Sequence, residues 1–425
     1  FRAPGRAFVV VLVAAFWACS GTPDDPPDLP AGNRDDVADA REQSADPGAT
    51  GDPDGFADPG EPGDPGPGAD PGSRADPSDP SDPGDAGDPG PLLALSAPAD
   101  GDRAVAGRPV AFRGRTACRG ATITFVADGQ YPFGTLDGVD GAFACDYAFN
   151  TPGVGRTVTV SVVGPGGCAA SVDVTLDVQP PFSVRTESRT DVNGQAFAVH
   201  VAAFPTADPD TDLAVLGTET AATVRTLARA WTDRGVAVAV NGGYFAFGQG
   251  PVSYAKSRFG YESPSANVKG PRACLAWDAG RRHARVEVSM GRDPVSGATR
   301  FPGDSDVACA GPQLVEDGRN VFDAHFVSEN FQTSGIAPDS AYPRTAACVH
   351  RDGSVLLVAA QDDGTKTRGF TLPGLADYLV SLGCDQALNL DGGGSTAFWN
   401  IGPPEDHRPG TEDRAVYQAV AILRP

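Results

Sequence analysis

The sequence predicts an α+β C-terminal domain built on a mixed β-sheet, preceded by a small all-β sandwich and a disordered linker. Three observations carry this. After residue 181, short apolar strands such as Val236–Val240 alternate with two stretches of helical periodicity, Thr220–Thr232 and Leu372–Leu382. Between residues 92 and 178 only strand patterns occur. Before residue 92 almost no large apolar side chain is available to build a core after the first nineteen residues.

Taken in order, Phe1–Cys19 has the form of an export leader. Arg2 and Arg6 supply a positive start and Ala7–Trp17 an apolar centre, too short for a comfortable membrane span. The leader ends in Phe16-Trp17-Ala18-Cys19, which resembles a bacterial lipobox, with Phe16 where leucine is usual. That resemblance implies a lipid on Cys19, a bacterial membrane as partner, and an exported lipoprotein at the outer membrane or cell surface, with free secretion as the alternative.

Residues 20–91 form the linker. Asp-Pro-Gly recurs at Asp46, Asp58, Asp64, Asp70, Asp82 and Asp88. Proline stiffens such a chain, glycine breaks it and like charges extend it. Residues 20–92 hold 17 Asp and 2 Glu against 3 Arg, a net of −16 out of −22 for the whole chain. The folded part is therefore nearly balanced. Nothing provides the basic footprint that nucleic acid requires, so no nucleic-acid partner is expected. The linker carboxylates leave calcium as the one divalent cation open; no cofactor is certain and no metal ligand is assigned.

Residues 92–179 alternate as strands at Val110–Phe112, Ala121–Val126 and Val172–Val178. The aromatic strand Cys145–Phe149, the turn Asn150–Gly153 and the β-branched strand Thr157–Val163 resemble immunoglobulin-like or PKD-like sandwiches. Spacing is the role expected of this domain; sugar binding by Tyr131, Phe133 or Tyr147 is the alternative. The cysteines fit an exported protein. With Cys19 lipidated, Cys118, Cys145 and Cys168 remain here, and Cys274, Cys309, Cys348 and Cys384 lie further on. No C-x-x-C pair occurs, so disulfides are expected rather than zinc or redox chemistry. Four cysteines in one domain allow three pairings, and the odd one in the β-domain has no assigned partner.

The domain at 181–425 opens with strands at Phe197–Phe204 and Leu213–Leu216. Between them, Asp208, Asp210 and Asp212, with Glu219 at the twelfth position, mimic a calcium loop. Leu213 stands where such loops need glycine, so a solvated turn is expected. Two strand ends then carry the chemistry. Val236–Val240 runs into Asn241-Gly242-Gly243-Tyr244-Phe245. Leu388-Asn389-Leu390-Asp391 runs into Gly392-Gly393-Gly394-Ser395-Thr396. Glycine lets a ligand approach the backbone closely, and a carboxylate beside bare N–H groups suits a polar substrate.

These two junctions, together with Gly311-Pro312-Gln313-Leu314 and its Asp317-Gly318, and with Arg344-Thr345-Ala346, resemble the phosphodiester glycosidase family in content and order. The resemblance covers about residues 181 to 425. It implies an exported hydrolase that cleaves the glycosidic bond of a sugar 1-phosphodiester, with a glycan phosphodiester or an N-acetylglucosamine 1-phosphate-linked glycan or lipid as substrate. Such a reaction develops positive charge on the sugar and negative charge on the leaving phosphate. Asp391 is the expected catalytic carboxylate and Arg344 the expected catalytic cation, its planar fork matching phosphate oxygens. Asn241, Gly242, Gly243, Tyr244, Asn389, Gly392, Gly393, Gly394, Ser395 and Thr396 are the expected substrate-binding residues, the asparagines and hydroxyls either meeting sugar hydroxyls or orienting Asp391. A second catalytic carboxylate is sought among Glu262, Glu329 and Asp363, while His325 is expected to be solvated.

Two other hydrolase classes fit poorly. Gly393–Ala397 mimics a degenerate nucleophile elbow, but only Asp406 and His407 follow it, too close together to complete a serine triad. The five histidines form no zinc motif. The non-enzymatic alternative is a surface lipoprotein that binds glycan or matrix polysaccharide without turnover.

Overall fold

The computed structural model describes residues 90–264, 270–361, 367–402, 405–409 and 413–424. The leader with Cys19, nearly all of the linker, and Asp363 lie outside the described residues.

Strands Leu93–Ala97, Pro109–Thr116 and Ala142–Ala148 form one sheet; a five-stranded sheet faces it. The burial of Ala121–Ala127 alternates strictly, as one side of a sandwich requires. Phe112, Ile123, Phe125, Phe149 and Val160 are fully buried between the sheets. Cys118 and Cys168 are bonded, and Cys145 is disulfide-bonded as well.

From Ser183 onward three antiparallel sheets surround one core. Sheet I has seven strands, in spatial order 319–320, 313–316, 384–389, 344–350, 355–361, 196–204 and 183–190. Sheet II has five: 212–222, 416–423, 236–241, 397–400 and 406–409. Sheet III has four: 255–256, 306–309, 272–278 and 283–289. Leu357 and Leu388 of sheet I, Val240 and Ile422 of sheet II, and Leu275 and Trp277 of sheet III meet in the shared core. On its outer face sheet I is covered by helix Leu372–Ser381, and sheet II by helix Val224–Arg229.

This corrects the expected fold class. Of the described residues 52% lie in strands and 10% in helices, so the domain is mainly β rather than α+β. Its sheets are not mixed: the ladders from Ser183 on are antiparallel. Two physical causes misled the sequence reading. In the stretch 220–232 the strand continues to Ala222, which pairs with Val416, so tertiary pairing overrides helical periodicity and only six residues form an α-helix. The stretch 246–343, rich in Gly, Pro and polar residues, reads as irregular apart from a strand at Ala284–Val288, yet it supplies all of sheet III.

The expected disulfide use holds in this domain, as Cys274–Cys309 between neighbouring strands and Cys348–Cys384. The calcium-loop mimic is not a solvated turn. Asp208 is buried and pairs with Arg108 at 2.9 Å, Asp210 pairs with the same guanidinium, and Asp212 pairs with Arg258. Its carboxylates diverge onto arginines, two of them reaching the β-sandwich. Gln179 is fully buried; it donates to Thr206 Oγ1 and the Asp352 carbonyl and accepts from Ala207 N–H.

Candidate active site

Strands 236–241 and 384–389 belong to different sheets, yet they end side by side. Asn241 is fully buried at the end of the first. Its Nδ2 donates to the Asp391 carbonyl at 2.7 Å, and its Oδ1 accepts from Thr345 Oγ1 at 2.6 Å and Ala397 N–H at 3.1 Å. Asp391 N–H in turn donates to the Gly242 carbonyl at 3.0 Å. Asn389 Nδ2 donates to the Tyr244 hydroxyl at 2.7 Å and to the Leu390 carbonyl at 2.6 Å. Gly311 N–H donates to the Asn389 carbonyl, and Gly393 N–H to the Pro343 carbonyl. The four motifs singled out in the sequence thus meet at one junction. The two asparagines hold the loops together.

Gly243 is required sterically, and Gly242 is tightly packed. A Cβ on Gly243 would lie 2.2 Å from the Cys309 carbonyl oxygen, and one on Gly242 about 3.1 Å from Gln418. Gly393 has φ +60°, and Gly393–Ser395 form a single 3₁₀ turn. Gly392 N–H donates to Asp391 Oδ1 at 2.8 Å, which fixes the carboxylate.

Asp391 is partly exposed as a residue, but its carboxylate is crowded by protein. Burial pushes its carboxyl up from the ordinary range to about 6; the Ser395 hydroxyl, the Gly392 N–H and the guanidinium groups of Arg414 and Arg344 pull the other way. By strict geometry Ser395 Oγ makes no hydrogen bond, so it acts as a nearby dipole. Burial likewise holds the Tyr244 phenol well above its usual range; Asp391 reinforces this, while Arg344 and Arg272 oppose it. Tyr244 donates to the Gly311 carbonyl at 2.9 Å, so its proton is committed and its ring is fixed.

Arg344 is 5% exposed and burial pulls its guanidinium below the usual arginine range. Its Nε donates to the Phe370 carbonyl at 3.1 Å, and its Nη2 to those of Ala337 and Ser340 at 2.9 and 3.2 Å. Much of the expected phosphate fork is therefore committed to shaping the 337–342 loop, while its charge still acts on Asp391. Buried polar atoms are almost always paired, so those that are not point to a place where something binds. At this junction Asn389 Oδ1, Ser395 Oγ, Thr396 Oγ1 and, close by, Ser253 Oγ are buried without a partner.

The sought second carboxylate does not emerge from the two described candidates, Glu329 and Glu262. Glu329 is fully buried and accepts from Ala273 N–H at 2.6 Å and Gln313 N–H at 2.7 Å, clamping the Gly311 turn. Glu262 accepts from Tyr254 and pairs with Arg292. His325 is not solvated: it lies 3.3 Å from Glu329, which raises its pKa. Among the described residues the one cluster of metal-ligating side chains is Cys348, His350 and Cys384, whose two sulfurs are joined in a disulfide.

Sequence reasoning missed Arg272, Ser253 and Phe331. All three line a cleft of about 490 Å³ beside the junction, together with Tyr244. They come from the stretch read as irregular, and no local pattern distinguishes them.

Residues 234–423 match the family model of the phosphodiester glycosidases, and this stretch contains all four motifs. The C-terminal part of the chain is thus similar to a phosphodiester glycosidase domain. Among solved structures, the chain is similar to the catalytic domain of zebrafish N-acetylglucosamine-1-phosphodiester alpha-N-acetylglucosaminidase, auto-inhibited by its pro-peptide. The identity is 20%, the TM-score 0.47, and the match covers 58% of this chain and 83% of that one. A hypothetical protein from Synechocystis is 16% identical with TM-score 0.43, covering 78% and 81% of the two chains. No curated protein matches the chain. The disulfides mark an exported protein.

Proposed function

We propose that the protein is an exported glycosidase that hydrolyses the glycosidic bond of a sugar 1-phosphodiester. The observation that carries the proposal is the junction itself. One crowded carboxylate, Asp391, is fixed by backbone within reach of two guanidinium groups, among buried polar atoms that lack protein partners.

In this reading water supplies the oxygen that bonds to C1 of the sugar. The C1–O bond to phosphate breaks, its electron pair leaves with the phosphomonoester, and the water proton is released. Ionised Asp391 faces the positive charge that develops on the sugar. Arg344 sets the field for the negative charge that gathers on phosphate, acting through its charge rather than through a free fork. A carboxyl titrating near 6 is ionised at neutral pH, so activity rises through that value as pH increases. The same proposal carries the immunoglobulin- or PKD-like domain at 92–179 as a spacer.

Product analysis on a panel of sugar 1-phosphodiesters tests this. Release of the reducing sugar with a phosphomonoester is the expected result. Retention of substrate by a protein that never turns it over would replace the hydrolase with a glycan-binding protein.

A further inference from the structure

The β-sandwich carries an odd number of cysteines, and no described cysteine is free. Cys118 is bonded to Cys168. Cys274 is bonded to Cys309, and Cys348 to Cys384. Cys145 is disulfide-bonded as well, and none of these six is its partner. The chain has eight cysteines, and a sulfur takes part in one S–S bond at a time, so the cysteine that remains for Cys145 is Cys19.

Strand 142–148 puts Cys145 opposite Phe112 and turns its side chain into the sandwich core, where the residue is 1% exposed. The strand is an edge of its three-stranded sheet, and among the described residues no ladder partner closes its outer side. On the far side of the middle strand, 109–116, Leu93 faces Thr116, and the linker enters the sheet there. Two ladder steps across and four residues along put that entry about 16 Å from Cys145. The 73 residues between Cys19 and Leu93 are long enough to extend over about 250 Å. Closing them onto the sheet therefore demands no stretching of the chain.

We infer that Cys19 and Cys145 form a disulfide that closes the linker into a loop on the β-sandwich. The two thiols give up two protons and two electrons, which reduce the disulfide of a thiol oxidoreductase outside the cytoplasm to a dithiol. The bond decides the fate of Cys19. A lipid anchor would hold that sulfur as a thioether, with no thiol left to oxidise. The disulfide thus takes the place of the lipid that residues 16–19 suggest. It also changes what the linker does. The segment 20–92, with its net charge of −16, is fixed to one sheet at both ends instead of trailing as a stalk. None of this depends on the reaction at Asp391.

The experiment is mass mapping of the full chain exported by a bacterial host. Free thiols are blocked with iodoacetamide in guanidinium, and the protein is then digested with trypsin without reduction. Trypsin separates the cysteines of the sandwich: Cys118 falls on peptide 116–119, Cys145 on 120–156 and Cys168 on 157–185, while the Cys19 peptide ends at Arg34. Peptide 120–156 is expected joined to the Cys19 peptide, and dithiothreitol should separate the two with a gain of one hydrogen on each sulfur. In Cys145→Ser the Cys19 thiol should take up iodoacetamide in most molecules; blocking in guanidinium makes this readout independent of whether the variant folds. A diacylglyceryl group on Cys19 overturns the inference, as does a mature chain that begins beyond it. So does iodoacetamide on Cys19 or Cys145 of the unreduced parent, or peptide 120–156 joined to any other cysteine. Cys19 that stays unreactive in Cys145→Ser overturns it as well.

Discussion

Replacing Asp391 by asparagine should abolish most of the activity and make the protein more stable, and the gain should depend on pH. The carboxyl sits at about 6 in the fold against an ordinary 3.8. A rise of about two units, at about 1.4 kcal/mol each, means that ionising this group costs about 3 kcal/mol more in the fold than in the unfolded chain. Because the residue is partly exposed, solvent screening reduces this to about 1–3 kcal/mol. The sign follows from the raised value. Below about 4 the group is protonated in both states and carries no penalty. Between about 4 and 6 the folded state holds the proton that the unfolded state has lost, and stability falls as pH rises. Above 6 the full penalty is present. Asparagine keeps the acceptor for the Gly392 N–H and carries no charge at any pH. Urea unfolding of both proteins at pH 4 and pH 7.5 should therefore show an advantage for Asp391→Asn that is about 1–3 kcal/mol larger at the higher pH. At pH 7.5 its kcat/KM on a sugar 1-phosphodiester should fall roughly a hundredfold or more. An equal advantage at both pH values would mean that the carboxylate is not strained. Full activity in the folded variant would remove Asp391 from the chemistry.

Three further outcomes follow from the same geometry. Gly243→Ala places a methyl group 2.2 Å from the Cys309 carbonyl, so stability should drop by about 1–3 kcal/mol and the first glycine junction should shift, seen as a lowered Tm and at least a tenfold lower kcat/KM. Arg344→Lys keeps the charge but cannot reach the carbonyls of Phe370, Ala337 and Ser340 together; kcat/KM should fall about a hundredfold, with faster proteolytic cutting in the 337–342 loop. Starting the chain at Pro181 removes Gln179 with its three buried hydrogen bonds and the Arg108–Asp208 pair, so unfolding in urea should reveal a loss of about 2–4 kcal/mol while turnover of a small substrate by the remaining folded fraction stays near normal.

What could be read in the sequence was what is local. The strand at 236–241 and helix 372–381 announce themselves by periodicity over consecutive residues. The glycine junctions are visible because neighbouring glycines are needed where Gly243 backs onto a carbonyl and Gly393 turns left-handed. The domain's β character was hidden because it depends on partners far along the chain. Ala222 is a strand residue only because Val416 pairs with it, 194 residues later. Of sheet III only the strand at 283–289 could be read locally, since its strand at 255–256 is two residues long and depends on its partners. Arg272, Ser253 and Phe331 form a cleft with Tyr244 only after sheet III has folded. Glu329 looked catalytic because a lone acidic residue in a loop-rich stretch gives no sign of the two backbone N–H groups that capture it.

The junction and the cleft differ in what can vary without loss of the fold. At the junction, Asn241 is committed to the Asp391 carbonyl, Thr345 Oγ1 and the Ala397 N–H, and Asn389 Nδ2 to the Tyr244 hydroxyl and the Leu390 carbonyl. Changing either leaves buried donors or acceptors stranded in two sheets at once, at about 1–3 kcal/mol for each group. That stiffness is what holds one carboxylate fixed without further support from the ligand. The cleft is bound to the junction only through Tyr244 and Phe331, and its Thr333 and Ser334 are exposed. Substitutions there should therefore reshape the cleft without disturbing Asp391, whose position is set where the two sheets end.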